Sequence, residues 1–271
     1  MGSRSFAFLA PLAAGAALAC IVSEAALADC RAESGAGTAA LVELYTSEGC
    51  SSCPPADRWL SALPQDDIAR GRIVPIALHV TYWDDLGWKD PFASAQFTAR
   101  QRQWMALNHG GYVYTPQVVL AGRDYPDWSQ TRRFRQDVQA VNDTPARARI
   151  DLQARPAAGG LEVTAAVSVP RPEDRRHAAL FLAVTEDGVS SRVSAGENGG
   201  STLYHSHLVR TWLGPLALGE GDKSVINRTA ELPADAGHGT PQASSGPGLL
   251  AFVEDLDTGH ILQAVAVAAC R

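Results

Sequence analysis

Two cysteines three positions apart, Cys50 and Cys53, stand in the stretch Thr46-Ser47-Glu48-Gly49-Cys50-Ser51-Ser52-Cys53-Pro54-Pro55-Ala56-Asp57-Arg58. Such a pair can close a small disulfide that exchanges with other thiols, or it can supply half of a zinc site. The flanking residues say what positions them. Ala39-Ala40-Leu41-Val42-Glu43-Leu44-Tyr45 reads as a buried strand, and Pro54 and Pro55 suit the first turn of a helix whose stripe is Trp59, Leu60 and Leu63. At a strand-to-helix turn the first thiol lies near unpaired helix N–H groups and the positive end of the dipole, which favours its thiolate. Cys53, one turn further in, can close the disulfide.

Three other stretches carry more chemistry than a scaffold needs. Thr81-Tyr82-Trp83-Asp84-Asp85-Leu86-Gly87-Trp88-Lys89 is too polar for a core and too aromatic for an idle loop. Thr115-Pro116 puts a proline at the entry to the apolar run Gln117-Val118-Val119-Leu120. Residues 196–210 contain Glu197, His205, His207 and Arg210. His205 and His207, two apart on one strand, share a face; that spacing suits a metal but has no adjacent third ligand. Glu197, His205 and Arg210 are read as a polar interface or a wall of the active cleft, with a glycine-rich hairpin bearing surface histidines as the plain alternative.

The supporting elements follow in order. After the first helix, residues 72–80 read as a second buried strand, with Pro75 suggesting an edge position or an irregular start. Asp90-Pro91 serves as N-cap and first residue of a second helix ending at Asn108-His109-Gly110-Gly111, and a last helix spans residues 129–141. Beyond Thr144-Pro145 the short runs 148–152, 161–169, 178–185, 202–212, 223–232, 249–254 and 261–268 have the spacing of an antiparallel sandwich, and 233–248 reads as a long loop. The expected fold class is an α/β thioredoxin-like domain over residues 38–143 followed by an all-β, sandwich-like domain over 144–271.

The first of these resembles the thioredoxin fold: the cysteine pair after the first strand, then helix, strand, helix, and Thr115-Pro116 leading into a hairpin. Residues 115–122 are also similar to the corresponding stretch of glutaredoxins. The resemblance implies that Cys50 is the nucleophile, that Cys53 is the resolving thiol, and that Pro116 is cis with Thr115 presenting backbone groups to substrate. It further implies that Glu43 is a buried acid serving Cys53, although Glu43 stands one residue further from the first cysteine than that acid usually does. Nearly the whole chain is similar to an uncharacterised family of secreted bacterial proteins with a thioredoxin-like domain. The matching segments are residues 43–57, His79-Val80 running into Tyr82-Trp83-Asp84 and Leu86-Gly87-Trp88, and Gly196-Glu197-Asn198-Gly199 with His205.

The start of the chain reads as a signal peptide: Arg4, an apolar run from Phe6 to Val22, and Ala26-Leu27-Ala28 with cleavage after Ala28. A retained anchor and a lipoprotein modified at Cys20 are the alternatives. In a secreted or periplasmic chain without Cys20, Cys30 and Cys270 remain, and a structural disulfide between them would staple the two ends. A formal charge of -6 argues against a nucleic-acid partner, since the densest basic patch, Arg132-Arg133-Phe134-Arg135, spreads its arginines around a helix. No membrane span is expected in the mature chain, nor any cofactor.

The leading expectation is an envelope thiol-disulfide oxidoreductase in which the Cys50 thiolate attacks a disulfide and Cys53 resolves it. Its partner is a thiol- or disulfide-bearing protein or a small thiol, bound in a groove lined by Trp83, Asp84, Trp88, Thr115, Glu197 and His205. One alternative is a protein holding copper or another soft metal on Cys50 and Cys53, assisted by His79, His109, His205 or His207. The other is a non-catalytic binding module with a permanent disulfide.

Overall fold

The structure, a computed structural model, describes residues 1–2, 30–232 and 247–267. β1 (Cys30–Glu33) precedes β2 (Ala40–Thr46), which is buried along its whole length, as a strand covered on both faces must be. The cysteine turn follows. Then come α1 (Pro54–Ser61), with prolines where no N–H is needed, a short α2 (Gln65–Ala69), β3 (Ile73–His79) parallel to β2, and α3 (Ala95–Leu107). β4 (Gln117–Leu120) and β5 (Arg123–Asp124) form a hairpin before α4 (Thr131–Asn142). The rest is almost all strand: β6 (Arg149–Ala157), β7 (Gly160–Ser168), a single-turn α5 (Pro172–Arg175), β8 (Ala178–Glu186), β9 (Val189–Arg192), β10 (Thr202–His205), β11 (Leu208–Ala217), β12 (Lys223–Glu231), β13 (Gly248–Asp255) and β14 (Ile261–Val267).

The expected thioredoxin-like α/β domain followed by a sandwich-like β domain is not what this chain builds. Among the described residues strand accounts for 42% and helix for 19%, and the largest unit is one eight-stranded sheet drawn from both halves, in the order β14-β13-β8-β11-β3-β2-β4-β5. The halves join where Leu208 of β11 lies parallel to Ala77 of β3, the Ala77 N–H donating to the His207 carbonyl at 2.8 Å. β1 crosses the other way, pairing with β6 at the edge of a second sheet, β1-β6-β7-β12. An open β3 edge would leave unpaired backbone groups in a buried strand, and β11 meets that edge at Ala77. Periodicity in the sequence reports which faces are apolar, and it is silent on which strand lies beside which.

Alternation sorts the side chains of the large sheet. Leu41 and Tyr45 of β2, Val74, Ile76 and Leu78 of β3, and Phe181 and Phe252 of β8 and β13 share one face, which Phe97 and Trp104 of α3 cover across the junction. On the opposite face, Ala40, Val42 and Leu44 pack against α1 and α4 through Leu60, Phe134 and Val138. That same face of β8 and β13 is covered by β6 and β7 through Ile150, Leu152, Val163 and Val167.

Smaller expectations also change. β3 is interior rather than an edge, and Pro75 fits because β11 meets β3 at Ala77 alone. The second helix is capped by Ser94, whose Oγ accepts from the Gln96 N–H at 3.2 Å, so Asp90-Pro91 lies before it. The run 202–212 is broken at His207, which adopts a left-handed φ of 56°, so His205 and His207 do not share one strand. The expected leader, apart from residues 1–2, the loop 233–246 and Cys270 lie outside the described residues. Cys30 is buried and disulfide-bonded. Among the described residues no helix is long and apolar enough to cross a membrane.

Candidate functional site

The local pattern of strand, cysteine turn and helix is present as read. β2 ends at Thr46, the turn is closed by Cys50 N–H to the Ser47 carbonyl and Cys53 N–H to the Cys50 carbonyl, each 3.1 Å, and Cys53 is the N-cap of α1. Cys50 and Cys53 form a disulfide with Cα atoms 5.4 Å apart. Ser52 Oγ lies 3.3 Å from Cys50 Sγ. Ser51 and Ser52 face solvent, yet both cysteines are 0% exposed.

Beneath this turn lies a buried cluster of carboxylates and imidazoles. Register places Thr46 beside His79 at the ends of β2 and β3, on the α1 face of the sheet. His79 Nδ1 lies 2.7 Å from Asp90 Oδ2, the same oxygen that accepts the Glu48 N–H at 2.8 Å. Asp90 Oδ1 accepts the Phe92 N–H at 2.9 Å. Glu48 is held at both oxygens, Oε1 2.9 Å from His205 Nε2 and Oε2 accepting from Trp88 Nε1 at 2.8 Å. The two imidazole rings meet edge to face at 4.9 Å, and Phe92 packs on both. Asp57, four residues after Cys53 and so on the same side of α1, completes the group.

Burial alone would push the His79 imidazolium down; Asp90 outweighs it and holds the ring at about 9. Burial acts on Asp90 the other way, but the His79 charge prevails and lowers it. The pair is therefore imidazolium and carboxylate at neutral pH. Asp57 differs, because burial raises it despite the His79 and His205 charges nearby. Two buried polar atoms here lack a hydrogen-bond partner, His79 Nε2 and Thr46 Oγ1; the latter faces the Asp57 carboxyl and favours its ionised form without normal hydrogen-bond geometry.

The other expected residues sort unevenly. Thr115-Pro116 is cis. Thr115 Oγ1 accepts from Trp83 Nε1 at 2.7 Å, and Trp83 packs so closely on Gly49 that a Cβ there would lie 3.1 Å from its own. Trp83 thus ties the cysteine turn to the proline entry. Asp84 accepts the Asp90 N–H at 3.2 Å, and burial raises its carboxyl. Trp88 faces inward to Glu48, and Glu197 Oε2 accepts the Ser51 N–H at 3.0 Å. His205, expected in the groove wall, lies under it, 3% exposed. Arg210 pairs with Glu186 and stacks over Phe92, apart from Glu197. His207 faces Asp187, and His109 sits exposed beyond α3. Among the described residues, no three His, Cys, Asp or Glu side chains are grouped to hold a metal ion.

Glu43 is a correction. It lies on the α3 face of β2, where Arg100 donates to its two oxygens at 2.7 and 3.0 Å and Tyr45 Oη donates at 3.1 Å. The buried carboxylates on the cysteine side are Glu48, Asp57 and Asp90. The sequence offered a signal for Asp57 alone, its four-residue spacing from Cys53. Asn198 was also missed: its Nδ2 donates to the carbonyls of Glu48 and Cys50 at 2.8 and 3.0 Å.

A family model described as "Protein of unknown function (DUF1223)" matches residues 41–244. A crystal structure of protein AGR_C_4864 from Agrobacterium tumefaciens is similar, with a TM-score of 0.54 at 24% identity over 85% of this chain and 94% of that one. HBP35 of Porphyromonas gingivalis is similar with a TM-score of 0.58 at 14% identity, over 87% of this chain and 76% of that one. Both are likenesses of fold. No curated protein matches.

Proposed function

The chain belongs to the DUF1223 family of proteins of unknown function, and on that premise we propose that it is a thiol-disulfide oxidoreductase acting through Cys50 and Cys53 in an oxidising compartment of the cell envelope. The observation that carries this reading is a disulfide at the N-terminus of α1 standing over buried, titratable carboxylate and imidazole groups. A permanent staple needs no proton carriers beneath it.

In the oxidising direction, the thiolate of a substrate dithiol bonds to Cys50 Sγ while the Cys50–Cys53 bond breaks, and Cys53 leaves as a thiolate. The second substrate thiolate then attacks the substrate sulfur of the mixed disulfide and releases Cys50. Two electrons pass from the dithiol to the cysteine pair, and the pair gains two protons. The reverse sequence reduces a substrate disulfide. Asp57 is the acid placed to give a proton to Cys53 and take it back, since its raised carboxyl exchanges protons more readily near neutral pH than an ordinary aspartate. The His79–Asp90 pair, imidazolium against carboxylate, places a second pair of titratable groups beneath the disulfide with no net charge of its own.

The test is the redox potential of the pair, obtained by equilibrating the protein against graded glutathione and counting alkylated thiols. A value between about -120 and -270 mV is expected; below about -300 mV the bridge behaves as a structural disulfide and the proposal is lost.

A further inference from the structure

The two cysteines are covered by a turn from the other half of the chain. Residues 196–200, between β9 and β10, lie on the cysteine turn, and their side chains hydrogen-bond to main chain below them. Glu197 Oε2 accepts the Ser51 N–H at 3.0 Å; Asn198 Nδ2 donates to the Glu48 carbonyl at 2.8 Å and to the Cys50 carbonyl at 3.0 Å. The cover is itself fixed. Gly199 N–H donates to the Gly196 carbonyl at 3.1 Å, and Gly200 N–H to the Val193 carbonyl at 2.9 Å. Gly196 has φ +70° and lies so close to Trp88 that a Cβ would come within 3.0 Å of its Cβ. Side chain and backbone constraints thus fix one acceptor and one two-proton donor over the reactive turn.

An acceptor for one N–H and a donor for two carbonyls is what the carbonyl and N–H groups of an extended peptide also offer. No thiol reaches Cys50 Sγ while the cover is in place, because Cys50 and Cys53 are fully buried. Once it moves away, the Ser51 N–H and the Glu48 carbonyl lose their side-chain partners and the Cys50 carbonyl keeps only the Cys53 N–H, and lost hydrogen bonds are costly wherever an incoming group keeps water out without replacing them. A polypeptide can replace all three hydrogen bonds. A small thiol such as dithiothreitol cannot.

We infer that Glu197 and Asn198 are internal occupants of a peptide-binding strip along residues 48–51, and that the site therefore takes polypeptide thiols in preference to small ones. This rests on the reading of Cys50 and Cys53 as an exchanging pair. The incoming polypeptide displaces the cover, takes its three hydrogen bonds, and presents its cysteine thiolate to Cys50 Sγ; the covalent steps and their balance are those given above.

The test uses the oxidised full chain and two reductants, dithiothreitol and an unfolded peptide carrying two cysteines. Each rate constant is normalised to the same reagent's rate with oxidised glutathione. In the wild type the normalised peptide rate exceeds that of dithiothreitol by about tenfold or more. Asn198→Ala raises the dithiothreitol rate about tenfold and brings the ratio towards one. Glu197→Ala acts in the same direction, while Glu197→Gln, which keeps an acceptor for Ser51, stays within about twofold of wild type. Because both positions lie on an exposed turn, the pair of Glu197 variants decides the matter if Asn198→Ala fails to fold. Equal normalised rates in the wild type, or a dithiothreitol rate unmoved by both alanine variants, overturns the inference. Neither readout depends on the potential, so an oxidoreductase reading lost to a strongly reducing disulfide is told apart from a peptide strip lost to equal rates.

Discussion

Arg100 and His79 each carry a positive charge into the interior, on opposite faces of the same sheet, and their surroundings treat that charge differently. Arg100 on α3 donates to Glu43 of β2 at 2.7 and 3.0 Å and to Glu254 of β13 at 2.8 Å. Its guanidinium lies 5.0 to 5.2 Å from the ring centroids of Phe181, Trp212 and Phe252. Burial disfavours that charge, but Glu43 and Glu254 outweigh it and raise the group further. An arginine does not give up its proton in a protein, so this cluster is fixed in charge. The His79 group is built of side chains that can exchange protons, and it leaves His79 Nε2 and Thr46 Oγ1 without partners. The difference marks one cluster as a weld between the two halves and the other as a titratable group beneath the disulfide.

The largest expected effect lies in the weld. Arg100→Met leaves two carboxylates buried without their cation and lowers stability by about 3–5 kcal/mol in urea unfolding. The Cys50/Cys53 potential of the folded variant stays within about 30 mV of the wild type, since that is the scale of a tenfold change in equilibrium. A large shift in potential would break the comparison, because it would couple the weld to the thiols.

The second effect is a dependence on pH. His79 is raised from 6.5 to about 9 in the folded protein, so its contribution is fully present below about 6.5 and is lost as pH rises through about 9. Asp90 is lowered from 3.8, so its contribution is present above that value and fades as pH falls through its folded value. Unfolding of the oxidised protein between pH 6.5 and 9 should therefore show stability falling with pH, by on the order of 2–4 kcal/mol. His79→Gln flattens the slope, whereas Arg100→Met preserves it. A wild-type profile that is flat over this window would remove the charged pair from the account.

What the sequence made legible was local. The cysteine turn, the two prolines that start α1 and the proline entry at Thr115-Pro116 are carried by neighbouring residues, and they stand where expected. Glu43 was misplaced because spacing from Cys50 says nothing about face. Alternation sends odd positions of β2 to α3 and even ones to α1, so Glu43 meets Arg100 while Thr46 meets the His79 side. Asp90-Pro91 had the chemistry of a cap, but its oxygens serve His79, Glu48 and Phe92. Asp57 stands in the first turn of α1, where the helix dipole favours any carboxylate, so its position alone does not single it out. Its burial follows from β10 closing over α1 on the β2 side of the sheet, a contact made across a distance that no window of sequence spans. The single sheet shared by both halves was hidden for the same reason.

Asp57→Asn gives the third effect, one in which stability and rate part company. Burial raises Asp57, so its ionisation costs folding energy as pH rises above 3.8, and the neutral amide should leave the oxidised protein as stable as wild type or more so at pH 7. Exchange with an excess of dithiol should nevertheless slow by about ten- to a hundredfold, with loss of the inflection that a raised carboxyl adds to the rate profile above the ordinary aspartate range. Lower stability with an unchanged profile would return Asp57 to a structural role.

The smallest effect compares neighbours. Tyr45 and Thr46 are adjacent, both fully buried, and face opposite clusters. Tyr45 Oη donates to Glu43 Oε2 at 3.1 Å, while Arg100 already binds both oxygens of that carboxylate. Tyr45→Phe should then cost about 1 kcal/mol, the net worth of one hydrogen bond. Thr46 Oγ1 has no hydrogen-bond partner, so a valine of the same shape removes an unmet desolvation cost and suits a strand. Thr46→Val should be neutral or stabilising by up to about 1 kcal/mol in urea midpoints of the oxidised protein at acid pH, where Asp57 is protonated, and should raise the Asp57 carboxyl further by removing the hydroxyl that favours its charge, so that the gain shrinks as pH rises and Asp57 ionises. Opposite signs at two consecutive residues are what a satisfied cluster on one face and an unsatisfied one on the other require. Equal losses at both positions would mean that Thr46 is satisfied after all, and that the contrast between the clusters rests on charge alone.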